Sequence, residues 1–212
     1  LDNHSFFDTK IVKSFEKKPL NIIDIGARWG INSVFEPFSK ITHAVSFEPD
    51  PIELKSIIKK EKKRDLWLKS EVFPYALNDK NEEISLYLLK RPNNSSIFKV
   101  NEKIYDRYKL KGFELDKEIR VPALTLDSFY SKKRNQIPYL GEIIKLDTQG
   151  AEYKILNGAK EVLKHNTVCI ICEVSFFSPY QNSSKFIEVI NLLEKMGFYF
   201  FRFLDYKFRS TK

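Results

Sequence analysis

The chain has 212 residues and 42% hydrophobic content, which is enough to bury one core, so we expect a single domain over residues 1–212. Its net charge of +8 permits a nucleic-acid or membrane-surface partner, but the lysines are scattered, and the densest runs, 59–64 and 131–134, suit solvent-facing helices or loops. The longest apolar run, 167–177, is too short to cross a bilayer and contains Glu173, so we expect no membrane insertion.

The two cysteines, Cys169 and Cys172, lie three residues apart in a β-branched run. Because side chains three apart on a strand point to opposite faces, we interpret both as core residues and not as a redox or metal pair. Unbridged cysteines and a charged start without a secretory apolar segment indicate a cytoplasmic protein. With three histidines and no compact Asp/Glu/His cluster, we expect no metal site. The chain begins at Leu1 without a methionine, which is compatible with a piece of a longer protein.

Strand patterns alternate with helical patterns along most of the chain. Residues 1–20 form a helical or irregular lead-in. Strands are predicted at 21–26, 43–50, 71–78, 84–90, 142–150, 167–175 and 198–204, and 119–130 is predicted as a strand followed by a short helix. Helices are predicted at 31–40, 51–63, 151–163 and 184–197, with Pro51 suited to a first helical turn. Between them, residues 91–117 form an irregular insert with a candidate helix at 100–110.

Buried strands that alternate with helices predict an α/β fold with a mostly parallel sheet covered on both faces. In such sheets ligands collect at the carboxyl ends of the strands. The residues that end the predicted strands are mostly acidic or glycine, namely Asp24, Gly26, Glu48, Asp147 to Gly150, and Glu173. We therefore place the candidate site at this edge.

The segment NIIDIGARWG, residues 21–30, resembles a cofactor loop but departs from the dinucleotide pattern G-x-G-x-x-G. Arg28 occupies the position of the middle glycine, and the spacing is D-x-G-x-x-x-G, with Asp24 before the loop. An acidic residue there repels a phosphate and favours an amino group, as in a methionine-like ligand. Glu48 lies 24 positions after Asp24. This is close to the spacing of about 20 residues at which an acidic residue at the end of the second strand binds the ribose hydroxyls. A ribose-containing cofactor is implied.

Two further carboxylates are candidates for the chemistry. Asp147, at the strand end and the first residue of DTQG, could act as a base or orient a hydroxyl. The alternative is a structural role, in which this carboxylate caps the helix that follows. Glu173 sits among apolar residues, where a site role and a satisfied structural pair are equally open.

Seven motifs, in order and spacing, resemble the FkbM-type, S-adenosylmethionine-dependent methyltransferases. They are IIDIGARWG, SFEPDP, YALND, NNSSIF, VPALTLDSF, IIKLDTQGAEYKILNGAKEVL and CEVSF, within about residues 21–175. The resemblance implies a class I, Rossmann-like methyltransferase fold with a seven-stranded sheet whose last strand is antiparallel. It also implies S-adenosylmethionine as the donor and O-methylation of a hydroxyl on a sugar, glycan or secondary metabolite.

The resemblance assigns the donor site residue by residue. Glu48 would bind the ribose hydroxyls, and Ala76 with its neighbours would contact the adenine edge. The loop after the first strand would bind the methionine part. The full donor set is Asp24, Gly26, Ala27, Arg28, Gly30, Glu48, Pro49, Ala76, Leu77 and Asp147. Arg28 departs from the asparagine common in the family, which affects the side-chain contacts of this loop.

The acceptor site has weaker signals. Asn94, Ser95 and Ser96 in the insert, with Gln149 of DTQG, could bind a polyhydroxylated acceptor, and an ordinary polar loop is the alternative. Residues 176–180 could form an apolar acceptor wall or belong to the core. Two other functions stay open: a nucleic-acid methyltransferase, which the charge favours and DTQG disfavours, and a non-catalytic binding module with the same fold.

Overall fold

The computed structural model describes residues 10–15, 17–137 and 140–204. In chain order the elements are α1 (Lys10–Phe15), β1 (Leu20–Ile25), a 3-10 helix (Ser33–Ile41), β2 (Thr42–Phe47), α2 (Pro51–Arg64), β3 (Lys69–Phe73), β4 (Ala76–Leu77), β5 (Glu82–Leu89), a 3-10 turn (Pro92–Asn94), α3 (Glu102–Tyr108), β6 (Leu115–Leu124), α4 (Leu126–Lys133), β7 (Ile143–Leu146), α5 (Glu152–Asn157), α6 (Lys160–His165), β8 (Cys169–Cys172) and α7 (Phe186–Lys195).

The central sheet has five parallel strands in the order β3-β2-β1-β7-β8. The strand order reverses at β1, which is the point where ligands bind in open α/β sheets. Strands β1 and β2 are almost wholly buried, including their polar residues Asn21, Asp24, Thr42, His43 and Ser46. The two strands are therefore held between layers on both faces, and their carboxyl ends open into one crevice.

The two faces of the sheet carry separate apolar clusters. Alternate residues such as Ile23 and Ile25 join the larger cluster with Phe129 and Ile155 of the helices. The intervening residue Ile22 joins a smaller cluster with Phe35 and Trp67 on the other face. This division confirms the predicted α/β fold with a parallel sheet covered on both faces.

A second, three-stranded sheet has the order β4-β6-β5, with β5 antiparallel to β6. The predicted strand at 71–78 is interrupted at Pro74 and Tyr75 and forms two strands. The first, β3, belongs to the central sheet, and the second, β4, belongs to the three-stranded sheet. Proline has no backbone N–H to donate within a ladder, so a break there has a local cause. The turn from β3 to β4 carries the chain along the cleft.

The predicted count of seven strands in one sheet is not confirmed. The central sheet has five strands among the described residues, all parallel, and the strand predicted at 198–204 is wrong, because this segment has no strand pairing there. Instead, Phe200 and Phe203 pack against each other and against Phe186, with ring centroids 4.9 to 5.8 Å apart. Aromatic packing thus replaces backbone pairing in this segment.

Several helix predictions are confirmed in place and corrected in detail. Pro51 does begin α2, with Asp50 accepting hydrogen bonds from the backbone of Ile52 and Glu53. The helix predicted at 31–40 is a 3-10 helix that contains Pro37. The helix predicted at 151–163 is two short helices, α5 and α6, that meet at Gly158. The irregular insert contains α3 and ends earlier than predicted, since β6 already begins at Leu115.

We expect Gly158→Ala to destabilise the fold more than Gly197→Ala. Gly158 has a φ of −89°, which suits alanine, but an added Cβ would lie 2.3 Å from the carbonyl oxygen of Asn78. Gly197 has a φ of +88° with nothing within 4 Å, so alanine there meets only left-handed backbone strain. Urea unfolding should show a loss of about 2 to 3 kcal/mol for the first and about 1 kcal/mol for the second. Equal losses would contradict the close contact with Asn78.

Candidate functional site

A large cleft opens at the carboxyl ends of β1, β2, β7 and β8. Its volume is about 1850 Å³, above the about 300 to 1,000 Å³ of most ligand sites. It runs from the loop after β1, past the end of β2, to the insert and the segment after β8. The predicted site residues that line it are Gly26, Arg28, Gly30, Glu48, Pro49, Ala76, Leu77, Asn94, Ser95, Ser96, Asp147, Gln149 and Glu173. The cleft therefore brings most of the predicted set together.

Gly26 permits the closest approach in the site. Its φ is +79°, and an added Cβ would lie 2.1 Å from the carbonyl oxygen of Asp147. The backbone N–H of Asp147 donates to the Ile25 carbonyl at 3.1 Å, so the ends of β1 and β7 are joined directly. Gly30, with a φ of +108°, lies instead against the Glu61 carboxylate of α2. The two glycines therefore serve loop packing on either side of the turn.

Asp24 lies behind the cleft and not on its wall. It is fully buried, its Oδ2 accepts from the backbone N–H of Asn32 at 2.7 Å, and its Oδ1 lies 3.2 Å from Nζ of Lys145. Burial raises the pKa of Asp24, and the Lys145 charge opposes that shift. Ala27, also predicted as a donor contact, is buried too. The acidic charge that the sequence offers to an ammonium group is thus already paired inside the protein.

Glu48 ends β2 with its carboxylate in the cleft. The side chain is 4% exposed, and Oε1 accepts from the Asp50 backbone N–H at 2.9 Å. Burial raises the pKa of Glu48 to about 7, while the Asp50 N–H and the Arg28 guanidinium act against the shift. Arg28 lies 3.1 Å from Asp50 and 3.9 Å from Glu48. The unusual arginine of the loop therefore faces the acid that the sequence assigns to ribose.

The wall next to Glu48 is apolar. Ala76 and Leu77 of β4 are buried, and Phe47 and Tyr75 line the cleft beside them. Phe47 also packs on Phe73 and Phe129. This apolar wall lies beside the Glu48 carboxylate and has the shape and polarity to pack against a flat, weakly polar ring.

Asp147 and Glu173 are brought together by Gln149. The amide Nε2 of Gln149 donates to Asp147 Oδ1 at 3.1 Å and to Glu173 Oε2 at 2.6 Å. Lys145 lies 3.5 Å from the other oxygen of Asp147. Desolvation by surrounding protein atoms, followed by the negative charge of Asp147, raises the pKa of Glu173 to about 8. Near neutral pH, Glu173 therefore holds a proton and Asp147 has the cationic partner.

Neither Asp147 nor Glu152 caps α5, because its N-cap residue is Ala151 and no side-chain hydrogen bond caps the helix there. Oε1 of Glu152 accepts from the backbone and the hydroxyl of Thr148, both at 2.9 Å, and from the Gly150 backbone at 3.3 Å. The capping alternative for Asp147 is therefore wrong, and Glu152 instead holds the loop between β7 and α5. This leaves the Asp147 carboxylate, 42% exposed, directed at the cleft.

The predicted acceptor residues of the insert hold the loop itself. Asn94 donates to the Gly112 carbonyl at 3.1 Å, and the Ser95 hydroxyl accepts from the Leu89 backbone at 3.1 Å. Ser96 is buried and donates to the Gln149 carbonyl at 2.8 Å. Their role as acceptor ligands stays a prediction, and their visible role is to fasten the insert beside DTQG.

The residues after β8 divide between the two predicted roles. Phe176 and Phe177 are 66% and 37% exposed and line the cleft, whereas Tyr180 is 1% exposed and belongs to the interior. The cysteines do not follow the core prediction fully, because Cys169 is exposed and only Cys172 is partly covered. Strand β8 is the last strand of the central sheet, which leaves its outer side open among the described residues.

Two important residues were not singled out from the sequence. Lys145 is 7% exposed within the strand IIKL, and a lysine among buried apolar residues is itself a signal that a carboxylate lies opposite. Trp29, with a φ of +71° and 58% exposure, lines the cleft beside Arg28. Nothing local in the sequence indicates this backbone conformation for a tryptophan.

Five parallel strands with a cleft at their carboxyl ends define a Rossmann-like α/β protein. Within that class, the model of the methyltransferase FkbM domain matches residues 24–200, which is most of the chain. The chain therefore belongs to the FkbM methyltransferase family.

A crystal structure at 2.20 Å resolution of methyltransferase FkbM from Methylobacillus flagellatus KT is similar to this chain, with a TM-score of 0.41 and 14% sequence identity. The similarity covers 72% of this chain and 32% of that one, so this chain spans about a third of its length. Comparison with curated proteins finds no match.

The described residues also bear on membrane and metal binding. Over 10–15, 17–137 and 140–204, no helix combines the length and apolar character needed to cross a membrane. In the same ranges, no three His, Cys, Asp or Glu side chains are grouped as metal ligands would be. The expectation that no metal is bound stays a prediction.

We expect Glu48→Gln to stabilise the protein at alkaline pH. The folded chain binds the Glu48 proton more tightly than an ordinary carboxyl of pKa 4.5, so this contribution to stability is complete below pH 4.5 and is lost as the pH rises through about 7. Glutamine has no charge to bury. Urea unfolding should give equal stabilities near pH 4.5 and an advantage of up to about 3 kcal/mol for Glu48→Gln above pH 7. A difference that is constant across this pH range would contradict the buried, titrating carboxyl.

Proposed function

We propose that the chain binds S-adenosylmethionine in the cleft and methylates a hydroxyl group. The observation that carries this proposal is the buried Glu48 carboxylate at the end of β2, beside the glycine loop that follows β1. Membership of the FkbM methyltransferase family supports methyl transfer. The choice of donor rests on how the residues of the cleft fit its ribose and adenine.

Glu48 fits a ribose because part of its bonding capacity is free. Oε1 accepts from the Asp50 N–H, and no hydrogen bond from the described residues reaches Oε2. Because Glu48 lines the cleft, two vicinal hydroxyls of a ligand could donate charge-assisted hydrogen bonds to its carboxylate. The apolar wall of Phe47, Ala76 and Leu77 lies beside it, where an adenine attached to that ribose would pack.

The methionine part of the donor would lie along the Gly26 loop, towards Asp147. Asp24 is paired with Lys145 behind this loop, so we assign it to holding the loop and not to direct contact. Arg28 is held by Asp50 at 3.1 Å and Glu53 at 4.0 Å. We therefore assign Arg28 to the outer wall of the ribose site, where its charge favours ionised Glu48.

When bound, the donor supplies a methyl group on a positively charged sulfur, which is intrinsically reactive towards an aligned nucleophile. The protein contributes mainly by positioning the acceptor oxygen. Asp147 is placed to accept the hydroxyl proton, and Nζ of Lys145 lies 3.5 Å from its Oδ2. Protonated Glu173 is unsuited as a base near neutral pH, so we assign it a hydrogen-bond donor role there.

The acceptor class is supported by the composition of the far end of the cleft. Exposed aromatic side chains lie there, including Tyr108 stacked on Phe177 at 5.7 Å, next to polar groups of the insert. Aromatic faces with adjacent amides and hydroxyls suit the apolar face and hydroxyl rim of a sugar. We propose a glycan, sugar or small metabolite as the acceptor. A nucleic acid is disfavoured by the carboxylates at the reacting edge.

We expect Glu48→Ala to weaken binding of S-adenosylhomocysteine, the reaction product, by on the order of 1.5 to 3 kcal/mol, because charge-assisted bonds to the ribose are lost. Calorimetric titration at about pH 8 measures this directly, since Glu48 is then ionised. The matched control is Glu71→Ala, which removes a carboxylate on β3 that is bonded to His43 and lies outside the cleft. It should bind as the parent chain does.

Two outcomes of that titration would count against the proposal. If the parent chain does not bind S-adenosylhomocysteine, the donor site is refuted and the non-catalytic alternative takes precedence. If both substitutions weaken binding equally, Glu48 has no specific contact with the ribose.

We expect Asp147→Asn to spare binding of S-adenosylhomocysteine and to lower methyl transfer by about 10²- to 10⁴-fold, because asparagine keeps the shape and cannot take up a proton. The measurement is transfer of labelled methyl from S-adenosylmethionine to a panel of sugars and glycans. Asp116→Asn, which removes an exposed carboxylate paired with Lys90, serves as control. Full turnover in Asp147→Asn would remove Asp147 from the chemistry.

A further inference from the structure

Gln149 holds an unfavourable backbone conformation at the centre of the reacting edge. Its φ is +57°, a left-handed value that residues other than glycine and asparagine rarely adopt. The conformation places the side-chain amide between two carboxylates, with Nε2 at 3.1 Å from Asp147 and 2.6 Å from Glu173. Such backbone strain persists only where the surroundings enforce it.

Tyr180 supplies that enforcement. Its side chain is buried, and its hydroxyl lies 3.2 Å from Oε1 of Gln149 and 2.7 Å from the carbonyl oxygen of Asn94. Both partners are acceptors, so the hydroxyl donates its single proton to one or the other. With Oε1 directed at the hydroxyl, the amide has to direct its N–H groups at the carboxylates. The opposite orientation would set an amide oxygen against two acidic groups.

The carboxylates that the amide joins differ in their surroundings. Lys145 faces Asp147, whereas desolvation and then Asp147 itself raise the pKa of Glu173 to about 8. The other titratable groups packed around them are Asp24, Glu152, Cys172 and Tyr180. Two neighbouring carboxyl groups with one cation beside one of them retain a single proton near neutral pH.

We infer that Gln149 is a positioning residue that holds Asp147 and Glu173 as a one-proton carboxyl pair, and that Tyr180 fixes the amide orientation this requires. The same hydroxyl contacts Asn94, so the pair is connected to the insert that lines the acceptor end. The inference rests on the proposed function in one respect, namely that the carboxyl pair acts on the hydroxyl of an acceptor. The pair itself needs neither donor nor acceptor.

The test is a carbon-13 NMR titration of the folded chain labelled at glutamate side-chain carboxyls, with the Glu173 signal assigned by its loss in Glu173→Gln. Tyr180→Phe keeps the ring and removes the hydroxyl. Gln149→Asn suits the left-handed backbone but is too short to bridge both acids. Gln149→Asn removes the donor to the charged form of Glu173, and Tyr180→Phe releases the amide that supplies this donor, so the pKa of Glu173 should rise by about 0.5 to 1 in both.

Tyr105→Phe is the matched control, since it removes a hydroxyl that donates to Glu114 at 3.1 Å in the same insert. It should leave the Glu173 titration unchanged. A Glu173 titration in Tyr180→Phe equal to that of the parent chain would overturn the role of Tyr180. An unchanged titration in Gln149→Asn would overturn the positioning role as a whole.

Titrating S-adenosylhomocysteine into the same samples separates this inference from the proposed function. The parent chain can fail to bind S-adenosylhomocysteine while the Glu173 pKa still responds to both variants, which would refute the donor and keep the carboxyl pair. The reverse result would keep the donor and refute the pair.

Discussion

The ion pair between Asp24 and Lys145 is the interaction on which the site depends. The two residues are register partners on the adjacent strands β1 and β7, and their charged groups lie 3.2 Å apart with almost no exposure. Breaking a buried pair costs about 3 to 5 kcal/mol, because the remaining charge has no partner. The pair therefore selects one register, and that register brings the Gly26 loop against the Asp147 carbonyl.

The acceptor end depends on a second, uncharged connection. Ser96 donates to the Gln149 carbonyl and the Tyr180 hydroxyl lies 3.2 Å from the Gln149 amide oxygen, so one residue of the β7 loop is in contact with both the insert and the segment after β8. Packing of Phe113 on the Tyr180 ring, at 5.8 Å, adds an apolar contact to the same junction. A movement of the insert would therefore shift the Asp147 and Glu173 carboxylates, because packed, hydrogen-bonded side chains connect the insert to them.

Much of this site could be predicted from the sequence because strand ends in a parallel sheet meet at one edge. Glu48, Asp147 and Glu173 were found in this way. The side chains that these residues contact could not be predicted from the sequence. The pairing of Lys145 with Asp24 depends on the register between β1 and β7, and the contact of Tyr180 with Gln149 joins segments 31 residues apart in the chain. Pro74 did offer a local signal for the break between β3 and β4. The segment 198–204 has strand-like composition, and only its aromatic packing in three dimensions decides against pairing.

The cleft is lined by equal numbers of acidic and basic side chains, namely Glu48, Asp147, Glu173 and Glu194 with Arg28, Arg91, Lys145 and Arg202. Although the chain carries a net charge of +8, burial raises the pKa values of Asp24, Glu48, Glu152 and Glu173, so their ionised forms are unfavourable in the fold. Two cations of the cleft lining form ion pairs with carboxylates at this edge. Arg28 pairs with Glu48, and Lys145 pairs with Asp24 and Asp147. A ligand with its own positive charge would relieve this desolvated acidity, whereas a phosphate would add to it. In the proposed function, a sulfonium donor would stabilise the ionised form of the carboxylates beside it, and a nucleic-acid phosphate would not.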